Sequence, residues 1–167
     1  MVTRSRCYLR SAVARLSISS PLDVRLLDKG MSVGEALAAF NAAYSEAGGV
    51  VSFLGKVRPD GDVQALELSH YEPLTLPGME KLSENARARF SLDGALVWHR
   101  TGVMTPGEPI VLVATAARHR RNAFEAADYL MDHLKSAAWF WKREKRRGTW
   151  RWIEARPQDH LDLDRWK

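Results

Sequence analysis

The runs A-L-V-W-H (Ala95–His99) and I-V-L-V-A-T-A (Ile110–Ala116), joined through T-P-G-E at Thr105–Glu108, decide the fold class. Both are short apolar segments suited to strands, and a Pro-Gly turn lies between them. They are therefore expected to pair directly, without an intervening helix. Toward the N-terminus, Met79, Leu82, Ala86 and Phe90 share one face of a helix that follows an interruption at Pro73–Pro77. Leu66, Leu68 and His70 alternate with Glu67 and Ser69, as in a half-buried strand. Val50 to Val57 reads as a buried strand, closed by the turn Arg58-Pro59-Asp60-Gly61. Ser32 and Glu35 form a capping-box pattern opening a helix along Val33, Ala36, Leu37, Phe40 and Tyr44. Gly48-Gly49 ends that helix, and Val24–Leu27 supplies a first strand.

Toward the C-terminus, Asn122 and Glu125 mark another helix start, with Phe124, Ala127, Met131, Leu134 and Ala138 as its apolar stripe. Trp150 to Ile153 alternates as a last strand, and Pro157 to Lys167 reads as a loop or short helix. The resulting order is β-α-β-β-α-β-β-α-β. Strict βαβ alternation is absent, so the expected class is α+β.

A chain of 167 residues fits one domain. Its folded part is expected over 22–167, preceded by a flexible, disordered basic extension over 1–21. Arg4, Arg6, Arg10 and Arg15 precede the first acidic residue, Asp23. This loosely resembles a transit peptide, but its amphipathicity is weak and a short extension or misplaced start is the simpler reading. Cys7 is the only cysteine, which excludes an internal disulfide and favours a reducing, cytoplasmic setting. No apolar run approaches a membrane span. The formal charge of +5 favours anionic partners without choosing among nucleic acid, phosphorylated metabolites and acidic proteins.

The chemistry concentrates between Arg118 and Glu144. A helix start carries unpaired N–H groups and the positive dipole end, so His119-Arg120-Arg121-Asn122 could hold a phosphate. The same residues would also suit a solvated basic helix start. Lys135 and Lys142 lie seven residues apart. They could share a helix face, or the Trp139-Phe140-Trp141 cluster could end the helix and fold Lys142 back. Two adjacent amines against apolar walls would favour a neutral, reactive amine; a pair of solvated lysines fits the spacing as well. Arg58 follows a strand, where binding residues often sit. The five histidines show no metal-ligand spacing, and no Walker or G-x-G-x-x-G motif occurs. Neither a metal nor a cofactor is therefore expected.

Ordered blocks extend the pattern: G-V-V-S-F-L-G-K-V-R (Gly49–Arg58), L-E-L-S-H-Y (Leu66–Tyr71) and W-H-R-T-G-V-M-T-P-G-E (Trp98–Glu108). They continue with H-R-R-N-A-F-E-A (His119–Ala126), M-D-H-L-K (Met131–Lys135) and F-W-K-R-E (Phe140–Glu144). Together they resemble the MoaE family, the large catalytic subunit of molybdopterin synthase. The resemblance implies an α/β hammerhead-type fold and a homodimer within a heterotetramer. Each end would carry a small ubiquitin-like subunit whose C-terminal Gly-Gly thiocarboxylate enters a pocket and supplies sulfur. The implied substrate is cyclic pyranopterin monophosphate, converted to molybdopterin by two sulfur transfers. By matching positions, Lys135 and Lys142 are the implied catalytic amines. Lys56, Val57, Arg58, His119, Arg120, Arg143 and Glu144 join them as substrate-binding positions, with residues from both protomers meeting in one pocket. Arg118 and Arg121 depart from the family's smaller or polar residues there. Two alternatives are a noncatalytic homologue and a nucleic-acid module using Arg118, Arg120, Arg121, Lys145, Arg146 and Arg147. The latter lacks a recognised motif.

Overall fold

The computed structural model describes residues 20–136, 139–154 and 157–167. Residues 1–19 with Cys7, and the stripe position Ala138, lie outside them. The order is β1 (Leu22–Leu27), α1 (Val33–Ala43), β2 (Gly49–Lys56), β3 (Val63–His70), α2 (Glu72–Phe90), β4 (Gly94–Arg100) and β5 (Gly102–Met104). Then follow β6 (Pro109–Ala117), α3 (Arg120–Ser136), β7 (Phe140–Arg146), β8 (Thr149–Ile153) and α4 (Pro157–Asp164).

The β4–β6 pair forms as expected, antiparallel, with Ala95 opposite Thr115 and His99 opposite Val111. It lies at the centre of one sheet ordered β1-β4-β6-β2. Every residue of β4 is buried because both faces are covered. Its pleat divides them: Ala95 and Val97 meet the core formed with α2 and α3, whereas Leu96 and Trp98 meet the core under α1. Between these strands the chain leaves the sheet. The short β5 pairs with β3 in a second sheet, ordered β5-β3-β7-β8, before the expected turn returns it. Glu108 secures that turn by accepting from the Thr105 N–H at 2.6 Å and from buried Arg100 at 2.8 Å. Leu66, Leu68, Met104 and Val57 form the second sheet's core.

Several expectations need correction. Helix α2 starts at Glu72, before the prolines: Pro73 occupies the first turn, where no N–H is needed, and Pro77 is carried inside the helix. Helix α3 starts at Arg120, because the Asn122 side chain donates to the Phe90 carbonyl at 2.8 Å instead of capping. Its buried stripe runs through Ala123, Ala126, Ala127, Leu130 and Leu134, while Phe124 is 62% exposed. Ser32 precedes α1 without a side-chain cap bond. Residues 140–146, densely charged, form a strand that no sequence expectation included. Its two-residue turn to β8 uses Arg147 (φ 48°) and Gly148 (φ 79°), the left-handed pair a tight hairpin requires.

His99 joins the two sheets. It is 7% exposed and stacks on Phe140 with centroids 4.1 Å apart. Its Nδ1–H donates to the Arg100 carbonyl at 2.9 Å. Burial pushes its pKa down to about 4, against the opposing pull of that hydrogen bond. Between pH 6.5 and about 4 the unfolded chain therefore binds a proton that the folded chain refuses. Stability from neutral His99 is full above pH 6.5 and is lost as pH falls toward 4, by roughly 3 kcal/mol. Urea unfolding across this window should show the decline, and His99→Phe should flatten it. An equal slope in both proteins would show that His99 is not its source.

Candidate active site

The start of α3 opens onto a pocket of about 600 Å³ lined by Gly48, Arg118, His119, Arg120, Arg121, Phe124 and Glu125. The helix begins because the His119 carbonyl accepts the N–H groups of Asn122 (3.1 Å) and Ala123 (3.4 Å). Thr115 fastens the first turn to β6 by donating to the Ala123 carbonyl at 2.8 Å. His119 and Arg120 stay exposed at the mouth. Arg121 lies 3.7 Å from Glu125, so one rim cation is partly balanced and the remaining lining is cationic. Donors of this kind beside a helix start suit a phosphate.

Gly48 lines the pocket beside Arg118. A Cβ there would overlap the Arg118 carbonyl, and one on Gly49 would lie 3.2 Å from the Arg120 Cα. Gly48→Ala must therefore displace the segment bearing His119 and Arg120. It is expected to cost about 1–3 kcal/mol and to weaken phosphate binding. Thermal denaturation and phosphate titration test this; an unchanged Tm and affinity would show that the segment moves aside freely. The sequence offered Gly48 only as a helix stop and Phe124 only as core. Glu125, read as a cap partner, instead faces the pocket.

Lys135 lies exposed in the last turn of α3. From Arg120 it is fifteen helical steps away, about 22 Å along the axis at ~1.5 Å per residue. Lys142 is on β7, opposite Leu68 and Ile153. Helix α3 ends at Ser136, and Phe140 and Trp141 already lie on β7, so the two lysines do not share a helix. Lys56 ends β2, and Arg58 is exposed just beyond it. Val57 between them is 4% exposed. Its N–H donates to the Glu108 carbonyl at 2.9 Å and its own carbonyl accepts from Gly107 at 2.8 Å, so it anchors the segment. Because β2 and α3 start side by side and Val57 shares a core with Leu68 and Phe140, the lysine-bearing elements gather at the opposite end from the pocket.

Alternation along β7 separates Lys142 and Glu144 from Arg143. Arg143 pairs with Glu67 and lies 4.8 Å over the Trp150 ring. Glu144 accepts from Arg146 at 3.0 and 3.1 Å. Arg146 and Arg147 also pair with Asp62, which offsets the basic hairpin invoked for nucleic acid. Among the described residues no helix is long and apolar enough to cross a membrane.

Fold and site together define a class: a two-sheet α+β domain with a basic anion pocket at one end and primary amines at the other. A family model described as MoaE protein matches residues 27–137, and the chain belongs to that family. It is 46% identical over 144 residues to the molybdopterin synthase catalytic subunit of Caulobacter vibrioides, covering 86% of this chain and 96% of that protein. The solved structure of the molybdopterin biosynthesis MoaE protein from Burkholderia ambifaria superposes with a TM-score of 0.74 at 35% identity, covering 87% of this chain and 97% of that one. A chain of the protein-protein complex of subunits 1 and 2 of molybdopterin-converting factor from Helicobacter pylori shares the fold. Its TM-score is 0.69 at 22% identity, with 82% of this chain and 92% of that one covered.

Proposed function

We propose that this chain is the catalytic subunit of a cytoplasmic molybdopterin synthase, a sulfurtransferase occupying residues 22–167. It converts cyclic pyranopterin monophosphate to molybdopterin, taking two sulfurs in turn from the thiocarboxylated Gly-Gly terminus of a small ubiquitin-like subunit. His119 and Arg120 hold the substrate's phosphate or pterin. Lys135 is the central amine beside the incoming thiocarboxylate, and Lys142 transfers protons or stabilises developing charge. Lys56 and Arg58 supply further substrate contacts, positioned by Val57. Arg143 and Glu144 act from the two faces of β7, bracing the strand that carries Lys142.

The observation that carries this reading is the separation of the two ends of α3. With Arg120 and Lys135 about 22 Å apart along α3, the anion pocket and that amine do not meet within one protomer. Pairing in a homodimer allows the anion end of one protomer to face the amine end of its partner. That dimer, with one small subunit at each end, is the heterotetramer. Mixing this chain with the small subunit and weighing the product by native mass spectrometry should give two copies of each. A monomeric chain that turns over fully would contradict the shared site.

A further inference from the structure

The C-terminal segment holds the residues on either side of Lys135. Asp132, three positions before it, is 8% exposed. Its Oδ2 accepts from Arg165 Nε at 3.0 Å, Arg165 Nη2 at 2.6 Å and Trp166 Nε1 at 2.7 Å. Arg165 Nη2 also lies 2.7 Å from Asp128 Oδ2, one turn earlier on α3. Ser136, the residue after Lys135, donates from Oγ to the Asp159 carbonyl on α4 at 2.7 Å. The segment is itself anchored. Trp166 sits edge-on to Phe90 (6.0 Å) and Tyr129 (5.4 Å), and its carbonyl accepts from Arg89 at 2.9 Å.

Helix ends fray, since their last carbonyls lack intrahelical partners. Here the final turn of α3 is pinned before and after the lysine, by residues that come last in the chain. We propose that Pro157–Lys167 is a strap whose Arg165 and Trp166 are positioning residues for Lys135; this rests on the catalytic role proposed above. The strap fixes the backbone from which the amine reaches the thiocarboxylate. A small displacement of a reacting group costs rate more than binding.

A purely stabilising role for these bonds is the competing explanation, and kinetics separate the two. The test uses the full chain with the thiocarboxylated small subunit and the cyclic pterin, well below each variant's Tm. Arg165→Ala should lower kcat about ten-fold while KM for the pterin stays within about two-fold. Trp166→Phe keeps the ring packing but loses the N–H, and should lower kcat about three-fold. Arg165→Ala leaves Asp132 a buried carboxylate short of donors. Adding Asp132→Asn should therefore return Tm toward the parent value while kcat remains low. If Arg165→Ala keeps the parent kcat, or if the double variant recovers kcat together with Tm, the strap is only structural and the inference is overturned. Parent enzyme and Lys135→Ala run alongside: an inactive parent refutes the proposed function, and an active Lys135→Ala refutes that residue's role.

Discussion

Lys135→Ala is expected to lower molybdopterin formation by a factor on the order of 10²–10⁴, the range over which a positioned acid, base or nucleophile accelerates a reaction. The loss should fall on kcat. Lys135 is an exposed side chain in a helix, so its truncation should leave stability within about 0.5 kcal/mol. Assembly with the small subunit should also persist, because the fold is undisturbed. Single-turnover assays with saturating thiocarboxylated subunit would show the loss directly. Full turnover by Lys135→Ala would move the chemistry elsewhere, with Lys142 the next amine to test.

Arg120→Ala should give the second largest effect, of a different kind. A charge-assisted hydrogen bond contributes about 1.5–3 kcal/mol, or roughly 10- to 100-fold in affinity. Arg120 stands at the pocket mouth on the first residue of α3, and no ion pair to it is present among the described residues. Its loss should raise KM for the cyclic pterin and weaken competition by inorganic phosphate. Arg120→Lys, which keeps the charge but not the planar fork, should lie between. A fall in kcat at constant KM would remove Arg120 from ground-state binding.

Where one side chain reported its own surroundings, the sequence was readable. The continuous apolar runs of β4 and β6 became buried strands, and the spacing of Met79, Leu82, Ala86 and Phe90 a buried helix face, as expected. It was unreadable where two segments compete for the same residue. Asn122 looks like a cap, yet Phe90, 32 positions away, takes its donor. Phe124 fits the apolar period of α3, yet only the pocket explains its exposure. Strand β7 carries charge on both faces, and its strand character comes from register with β3 and β8 rather than from its own pattern. The His119–Arg120 site was legible as helix-end chemistry. Its distance from the lysines was not, because spacing along a sequence does not show where a helix ends.

The central claim is that this chain moves sulfur from a partner's tail onto a pterin. The most direct test combines purified chain, thiocarboxylated small subunit and cyclic pyranopterin monophosphate, followed by mass spectrometry of the pterin and of the tail. The account predicts a product carrying two added sulfurs, two tails converted from thiocarboxylate to carboxylate for each product, and no product with Lys135→Ala. A pterin that remains free of sulfur while the complex assembles and the tail stays thiocarboxylated would contradict it.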